Sequence, residues 1–432
     1  MAFLILALSV GGWTQELNLR EVCRRALEVQ PRMQVQQARV ERSQASEAEA
    51  WTAWNPRLSL DANYTYTTPN AVLQQGNQTV VFSNNNNYLV TLRLTQMLWN
   101  GGFFSSQAEA RRCQVVLQQE RLREARLQLE EEAGLAFLEV KLAEENLRLS
   151  QHQVVQRQAQ LEQSRKLFAR GTVPRYDAIR GEAELARARQ ELLDSERLLQ
   201  LRRNTLQSLI QRPLTALEDL QEPAPPTLPA DLWAQALGRP DLRIARLARQ
   251  ESQARLEAAR REDSPTLSLQ TDVQNRNTTV AFPGTQWNTG FVLSWPIFDQ
   301  GISQTRVDQM LAELKELDAQ AQEVERLARL QVEQLRTDVE TRYRAWQATA
   351  VQCQAAEEAE RVAQLRYDNG LSTQSERLEA ELNLQRARRD RIAARYDLAQ
   401  AEIRLGRALG NSLLEEPKLP EAPKGQACTF AP

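Results

Sequence analysis

The sequence repeats one structural plan twice, and this duplication constrains the fold more than any other feature. In each half a loop after an alternating apolar segment is followed 71 positions later by a glycine break, from Asn100 to Gly171 and from Asp299 to Gly370. At the same offset of 199 the matched pairs include Phe168 with Tyr367, Ile179 with Leu378, Leu185 with Leu384, Arg187 with Arg386 and Ala188 with Ala387. Because the register continues without gaps through a helix break, the chain contains two copies of one building unit.

Each copy reads as a polar helix, a strand pair, a long helix, a break and a second long helix. The predicted segments are a signal peptide at 1–14, a first repeat at 15–212, a proline-rich linker at 213–231, a second repeat at 232–410 and a disordered tail at 411–432. The predicted strands are 56–68 and 87–98 in the first repeat and 265–275 and 286–298 in the second. The predicted helical hairpins are 101–211 and 301–409.

Apolar residues recur every seven positions in the long helices. One seam is Ala133, Val140, Leu147, Val154, Leu161 and Phe168, and the other is Leu122, Leu129, Ala136 and Ala143. Alternate spacings of three and four between the seams are typical of a coiled coil. A helix of about 70 residues is roughly 105 Å long, which exceeds the width of a globular domain. The pattern therefore predicts two long antiparallel hairpins that turn at Gly171 and Gly370.

The predicted strands alternate strictly between apolar and polar residues. After Pro56 one face carries Leu58, Leu60, Ala62, Tyr64 and Tyr66, and the other carries Arg57, Ser59, Asp61, Asn63 and Thr65. Such a strand suits lipid on one face and water on the other, and a tilted strand of about 9 to 11 residues crosses a bilayer. Tryptophans near the strand ends are typical of membrane interfaces. A soluble β-meander that caps a coiled coil is the alternative interpretation.

Composition and motifs exclude several classes of protein. The 54 basic and 56 acidic residues leave a net charge of −2, so the chain has no basic footprint for nucleic acid. The four cysteines match no CxxC or zinc spacing, and the sequence has no GxxxxGK[ST], GxSxG or HExxH motif. We therefore expect no catalytic residues, no metal site and no cofactor.

Four strands cannot close a barrel, and an open sheet edge is not tolerated in hydrocarbon. A membrane interpretation therefore requires an oligomer, and three chains would supply twelve strands above a cylinder of helices. The competing interpretation is a coiled-coil scaffold protein without a pore. That alternative explains the heptads but not the amphipathic strand pairs at equivalent positions in both halves.

From about Leu17 to Gly410 the chain resembles the TolC-like outer-membrane efflux channel family. The resemblance is carried by Asn55-Pro56, by the strand-to-helix corners 98–102 and 297–301, and by the hairpin tips 168–171 and 367–370. It implies a mainly helical homotrimer with a twelve-stranded outer-membrane β-barrel and a periplasmic α-barrel. It also implies a passive exit duct that works with a periplasmic adaptor protein and an inner-membrane pump, in efflux or type I secretion. The cargo stays open between drugs, metal ions and polypeptides.

The resemblance also assigns roles to residues at the hairpin tips. It implies that Tyr367 is a gating tyrosine, that Asp177 is its contact, and that Glu376 and Glu379 are acids of the periplasmic aperture. Ser372 stands where the family pattern has an arginine, so the salt-bridge part of the gate is expected to be missing. A solvated helix face is the alternative for the two glutamates. The residues expected to receive the adaptor are Gly171, Thr172, Val173, Gly370, Leu371 and Ser372.

Overall fold

The computed structural model describes residues 17–69, 72–75, 78–81, 85–171, 174–214, 216–226, 228–229, 231–276, 284–369 and 371–414. The predicted signal peptide and residues 415–432 of the predicted tail lie outside these ranges. The chain forms two units, which are described separately. The helical unit takes its residues from Met1–Gln36, Leu122–Leu242 and Glu325–Lys424, and the sheet unit from Gln37–Arg121, Arg243–Val324 and Gly425–Pro432.

The order of elements repeats between the two halves of the chain. The helices are α1 (Leu19–Val29), α2 (Pro31–Thr52), α3 (Phe103–Ala169), α4 (Arg175–Ile210), α5 (Leu232–Ala236), α6 (Pro240–Arg260), α7 (Ile302–Asp368) and α8 (Gln374–Ala408). The strands are β1 (Arg57–Tyr66), β2 (Val72–Gln75), β3 (Gln78–Val81), β4 (Asn86–Trp99), β5 (Thr266–Arg276) and β6 (Gly284–Ser294). The duplication is plain in the long helices, because α3 and α7 each contain 67 residues.

The sheet unit is built on one antiparallel sheet with the strand order β1-β4-β5-β6. Its register aligns an apolar row, Leu60 with Leu92, Leu92 with Val273, and Val273 with Trp287. Side chains on this face are open to the surroundings, since Leu60 is 68% exposed and Trp287 is 73% exposed. Residues paired across neighbouring strands point to the same side of a sheet, so this row forms one face. The strands β1 and β6 form the two edges of the sheet.

The opposite face of this sheet is polar. Ser59, Arg93, Asp272 and Asn288 align in one row across the four strands. The amide of Asn288 donates to Asp272 Oδ2 over 3.0 Å, so these two residues are joined by a side-chain hydrogen bond as well as by the backbone ladder. The alternation predicted from the sequence therefore corresponds to two chemically distinct faces.

The sheet unit departs from the sequence prediction at two places. The sequence predicts no strand between residues 68 and 87, but β2 and β3 pair there, from Val72 with Val81 to Gln75 with Gln78. The β-branched valines in this segment favour extended backbone. The last predicted strand runs to residue 298, whereas β6 ends at Ser294. Pro296 has no backbone N–H for a strand ladder, which accounts for the early end.

The strand-to-helix corner before α7 shows how a short sequence sets a helix start. Asp299 Oδ1 accepts a hydrogen bond from the Gly301 N–H over 2.9 Å, and Oδ2 accepts one from the Ser303 N–H over 2.7 Å. The Ser303 hydroxyl and these backbone amides lower the pKa of Asp299 to about 2. The carboxylate therefore stays charged and satisfies amides that the first helical turn leaves unpaired.

The core of the helical unit lies along the predicted heptad seams. Its first cluster includes Leu129, Ala133, Ala136 and Val140 of α3, packed with residues of α1, α4 and α8. A second cluster joins α5, α7 and α8 around Val332 and Val339. Burial at these positions confirms this part of the two seams as a packing face. Phe168, the last residue predicted in the first seam, is instead 43% exposed, because it lies at the open hairpin tip.

Cys23, Cys113 and Cys353 are buried, and none of these three thiols is in a disulfide. Burial, reinforced by the charge of Glu130, raises the pKa of the Cys23 thiol to about 12. This thiol therefore stays protonated and acts as a small apolar core group. Cys428 lies outside the described residues.

The linker between the repeats is held by a buried lysine. The Lys141 side chain is only 2% exposed, and its Nζ contacts Glu144 and Asp219. It also donates to the Leu217 carbonyl over 3.4 Å. Lys141 lowers the pKa of Asp219, first through the hydrogen bond and then through its charge. The charge on α3 thus fixes the start of the linker against the helical core.

Candidate functional site at the hairpin tips

The described parts of both hairpin tips are open to solvent. After α3 the backbone turns at Gly171, whose φ is +73° and whose N–H donates to the Phe168 carbonyl over 2.8 Å. An added Cβ at Gly171 would meet no atom within 4 Å. At the second tip Leu371 is 69% exposed, and its N–H closes the end of α7 by donating to the Arg366 carbonyl. The other predicted docking residues Thr172, Val173 and Gly370 lie outside the described residues.

The ring of Tyr367 stacks with an arginine that the sequence analysis did not select. The guanidinium carbon of Arg377 lies 5.1 Å from the ring centroid, within cation–π range. Arg377 Nη1 also donates to Gln364 Oε1 over 3.2 Å, which ties α8 to α7 beside the tip. A positive charge therefore lies next to Tyr367, five positions after Ser372.

Asp177 lies in the first turn of α4, where its N–H donates to the Pro174 carbonyl over 3.1 Å. Among the described residues, no hydrogen bond joins Asp177 to Tyr367. The hydrogen bond predicted between these two gate residues is therefore not seen in the described part of a single chain. Ser372, the remaining predicted tip residue, has a buried hydroxyl that lacks a partner in the described ranges.

Glu376 and Glu379 lie three residues apart in the first turns of α8, and both are exposed. The N–H of Glu376 donates to Thr373 Oγ1 over 3.3 Å, which forms half of a Thr-x-x-Glu capping box. A negative charge here also stabilises the positive end of the helix dipole. Within the described parts of the chain, neither carboxylate forms an ion pair, so both charges are available at the surface.

The two repeats are joined near the tips by a buried polar group, the inter-repeat cluster, formed by Arg157, Gln160 and Glu381. Arg157 Nη1 lies 3.2 Å from Glu381 Oε2, and the Gln160 amide donates to both Glu381 oxygens over 3.1 and 3.0 Å. The Arg157 and Glu381 side chains are only 7% and 9% exposed. This cluster was not predicted from the sequence, although Arg157 stands in phase with the second heptad seam. A charged residue at a seam position was the available signal.

Among the described residues, no helix is both long and apolar enough to cross a membrane. In the same ranges, no group of three or more His, Cys, Asp or Glu side chains is arranged to hold a metal ion.

A family model described as outer membrane efflux protein matches residues 22–211 and 234–411. The two matched segments coincide with the two structural repeats and leave out the linker. No curated protein sequence matches the chain.

Several solved structures share the fold. The channel protein CusC is 19% identical, with a TM-score of 0.80, and the match covers 91% of this chain and 92% of that one. The Campylobacter jejuni outer membrane channel CmeC is 18% identical, with a TM-score of 0.78 and coverage of 93% and 88%. The open state of the Neisseria gonorrhoeae outer membrane channel MtrE is 23% identical, with a TM-score of 0.75 and coverage of 91% and 89%. At these identities the likeness establishes the fold.

Proposed function

Because the chain belongs to the outer membrane efflux protein family, we propose that three copies form the exit duct of a tripartite efflux or type I secretion system. The protein is an outer-membrane channel whose helical part lies in the periplasm. The channel is passive, and an inner-membrane pump supplies the energy for transport. A periplasmic adaptor joins the pump to the helical tips.

The observation that carries the trimer is the four-stranded sheet with two free edges and one exposed apolar face. β1 and β6 run in opposite directions, because each of the three neighbouring strand pairs between them is antiparallel. The β1 edge of one copy therefore suits antiparallel pairing with the β6 edge of the next. Three copies would close a ring of twelve strands with its apolar face toward lipid.

The test of this proposal is the mass and shape of the protein extracted from membranes in detergent, by chemical cross-linking and negative-stain imaging of one sample. We expect trimers with a long hollow body. A water-soluble elongated monomer or dimer would contradict the pore. The strands would then be interpreted as the cap of a coiled-coil scaffold.

The acidic residues of α8 are proposed to line the periplasmic aperture. Three copies of Glu376 and Glu379 would concentrate negative charge in a narrow opening, which attracts cations and raises the barrier to anions. We expect Glu376→Gln with Glu379→Gln to lower the K⁺ to Cl⁻ permeability ratio to roughly one half or less in planar bilayers. Glu196→Gln, an exposed acid of α4, is the control. Unchanged selectivity in the double variant would contradict the aperture assignment.

The first tip is proposed to receive the adaptor. Gly171→Trp would place a large side chain in open space at the turn, so we expect it to abolish cargo efflux while trimers still form. Gly171→Ala is the matched control, since it has the same positive φ but little bulk. Efflux is measured in cells with an equal amount of trimer for each variant. Normal efflux by the tryptophan variant would show that the adaptor does not dock at this turn.

A further inference from the structure

The exposed side of α8 carries charges in a definite order. This side, the α8 stripe, consists of Glu376, Glu379, Asn383, Arg386 and Asp390, all of which are exposed. Seven residues make almost two helical turns, so Arg386 lies nearly in line with Glu379 and about 10 Å further from the tip. A single positive charge therefore interrupts a stripe that is otherwise acidic or neutral.

Arg386 differs from its neighbours Arg388 and Arg389, each of which forms an ion pair. Arg388 pairs with Glu357 over 3.2 Å, and Arg389 pairs with Glu191 over 2.9 Å. Across the described ranges, Arg386 forms no ion pair, even with Asp390 one turn away. An exposed guanidinium without a carboxylate partner keeps its paired N–H donors free for an anionic group.

We propose that Arg386 forms a basic ring inside the channel, one step inward from the acidic aperture, which contacts carboxylate or phosphate groups of passing cargo and limits the preference for cations. This inference rests on the proposed function, because the α8 stripe must line the channel of the trimer. The entrance is then bipolar: cations are drawn in at Glu376 and Glu379, and anionic groups find a contact immediately beyond.

The size of the effect follows from Coulomb's law. Two unit charges about 10 Å apart in water change an equilibrium constant by about twofold, and three arginines around one axis act together. The Debye length is about 10 Å in 0.1 M salt and about 3 Å in 1 M salt, so salt should weaken the influence of the ring on ions at the aperture. The ring therefore predicts a salt-dependent selectivity.

The duplication supplies a matched control. Arg187 is the equivalent of Arg386 in the first repeat, and it is also exposed. In the part of the chain that the structure describes, Arg187 likewise forms no ion pair. Arg187→Gln removes the same charge from the same position of the other repeat, so it reports the effect of net charge alone.

The test is the reversal potential of purified trimers in planar bilayers under a KCl gradient. We expect Arg386→Gln to raise the K⁺ to Cl⁻ permeability ratio about two- to fivefold near 0.1 M salt, and less near 1 M. Arg386→Lys and Arg187→Gln should behave like the parent protein. An unchanged permeability ratio in Arg386→Gln, or an equal rise in Arg187→Gln, would contradict the proposed basic ring.

A second measurement serves if Arg386→Gln does not assemble. Arg386→Cys would be treated in the bilayer with a cationic or an anionic methanethiosulfonate reagent, with the reagent-treated parent protein as the background. The cationic reagent should restore the K⁺ to Cl⁻ permeability ratio of the parent protein, and the anionic reagent should raise this ratio further. Identical effects of the two reagents would contradict the proposed basic ring. If Glu376→Gln with Glu379→Gln leaves the selectivity unchanged, this result contradicts only the assignment of these two residues to the aperture. A parent protein that does not conduct counts against the channel.

Discussion

Glu381→Leu is expected to destabilise the helical unit by about 3–5 kcal/mol, which is the usual cost of removing one partner from a buried ion pair. Glu381 is 9% exposed and accepts hydrogen bonds from both Arg157 and Gln160. Its removal leaves the Arg157 guanidinium buried without a counter-charge. The measurement is the midpoint of guanidinium unfolding, followed by helical circular dichroism in detergent.

The double variant Arg157→Met with Glu381→Leu separates the charge effect from packing. Replacing both members of a buried pair by apolar residues of similar volume is often neutral or stabilising. We therefore expect the double variant to unfold close to the parent midpoint, so that the two substitutions are strongly non-additive. A single variant as stable as the parent protein would contradict the account of the inter-repeat cluster.

Gly101→Ala is expected to cost about 2–5 kcal/mol and to prevent normal assembly, because left-handed strain of about 1–2 kcal/mol adds to overpacking of about 1–3 kcal/mol. The φ of Gly101 is +62°, and a Cβ at this position would overlap the Cβ of Ser264. Conformation alone does not explain the glycine, since Gln300 has a φ of +60° at the equivalent corner of the second repeat. The close approach of Ser264 is what excludes a side chain.

Gly301→Ala is the control for this prediction. Its φ is +86°, but an added Cβ meets no atom within 4 Å. The control should lose only the cost of the left-handed backbone, about 1–2 kcal/mol, and should still assemble. The amount of trimer in the membrane fraction, measured by gel shift before and after heating, compares the two. Equal assembly of both alanine variants would show that the Ser264 contact does not control folding of the corner.

Periodic features of the fold were predictable from the sequence because the polarity of each residue indicates which face of its helix or strand it occupies. The heptads predicted the buried seam at Leu129 and Val140, and the strict alternation predicted the open apolar face at Leu60. The β2 and β3 pair could not be predicted in this way, since four-residue strands are too short to show a period. Likewise, the shift in register between Met97 and Trp99 depends on the partner strand β5, which is far away in the chain.

The candidate site was less predictable, since its contacts join residues that are distant in sequence. Glu376 and Glu379 were selected through the family resemblance, and the structure adds that both are exposed. Arg377 was overlooked because its contact with Tyr367 forms only when α7 and α8 turn back on one another. Glu381 contacts a residue 224 positions away, and no local pattern indicates such a pair. Roles at the tips therefore depend on contacts between helices rather than on motifs.

The two free edges of the sheet also have a genetic consequence. If a copy must pair on both sides, one copy with a defective β1 or β6 edge spoils the ring that it enters. In a cell that makes equal amounts of sound and defective chains, only about one trimer in eight would contain sound copies alone. Edge variants that still enter the ring should therefore be dominant over the wild-type gene, whereas a variant that never folds should be recessive.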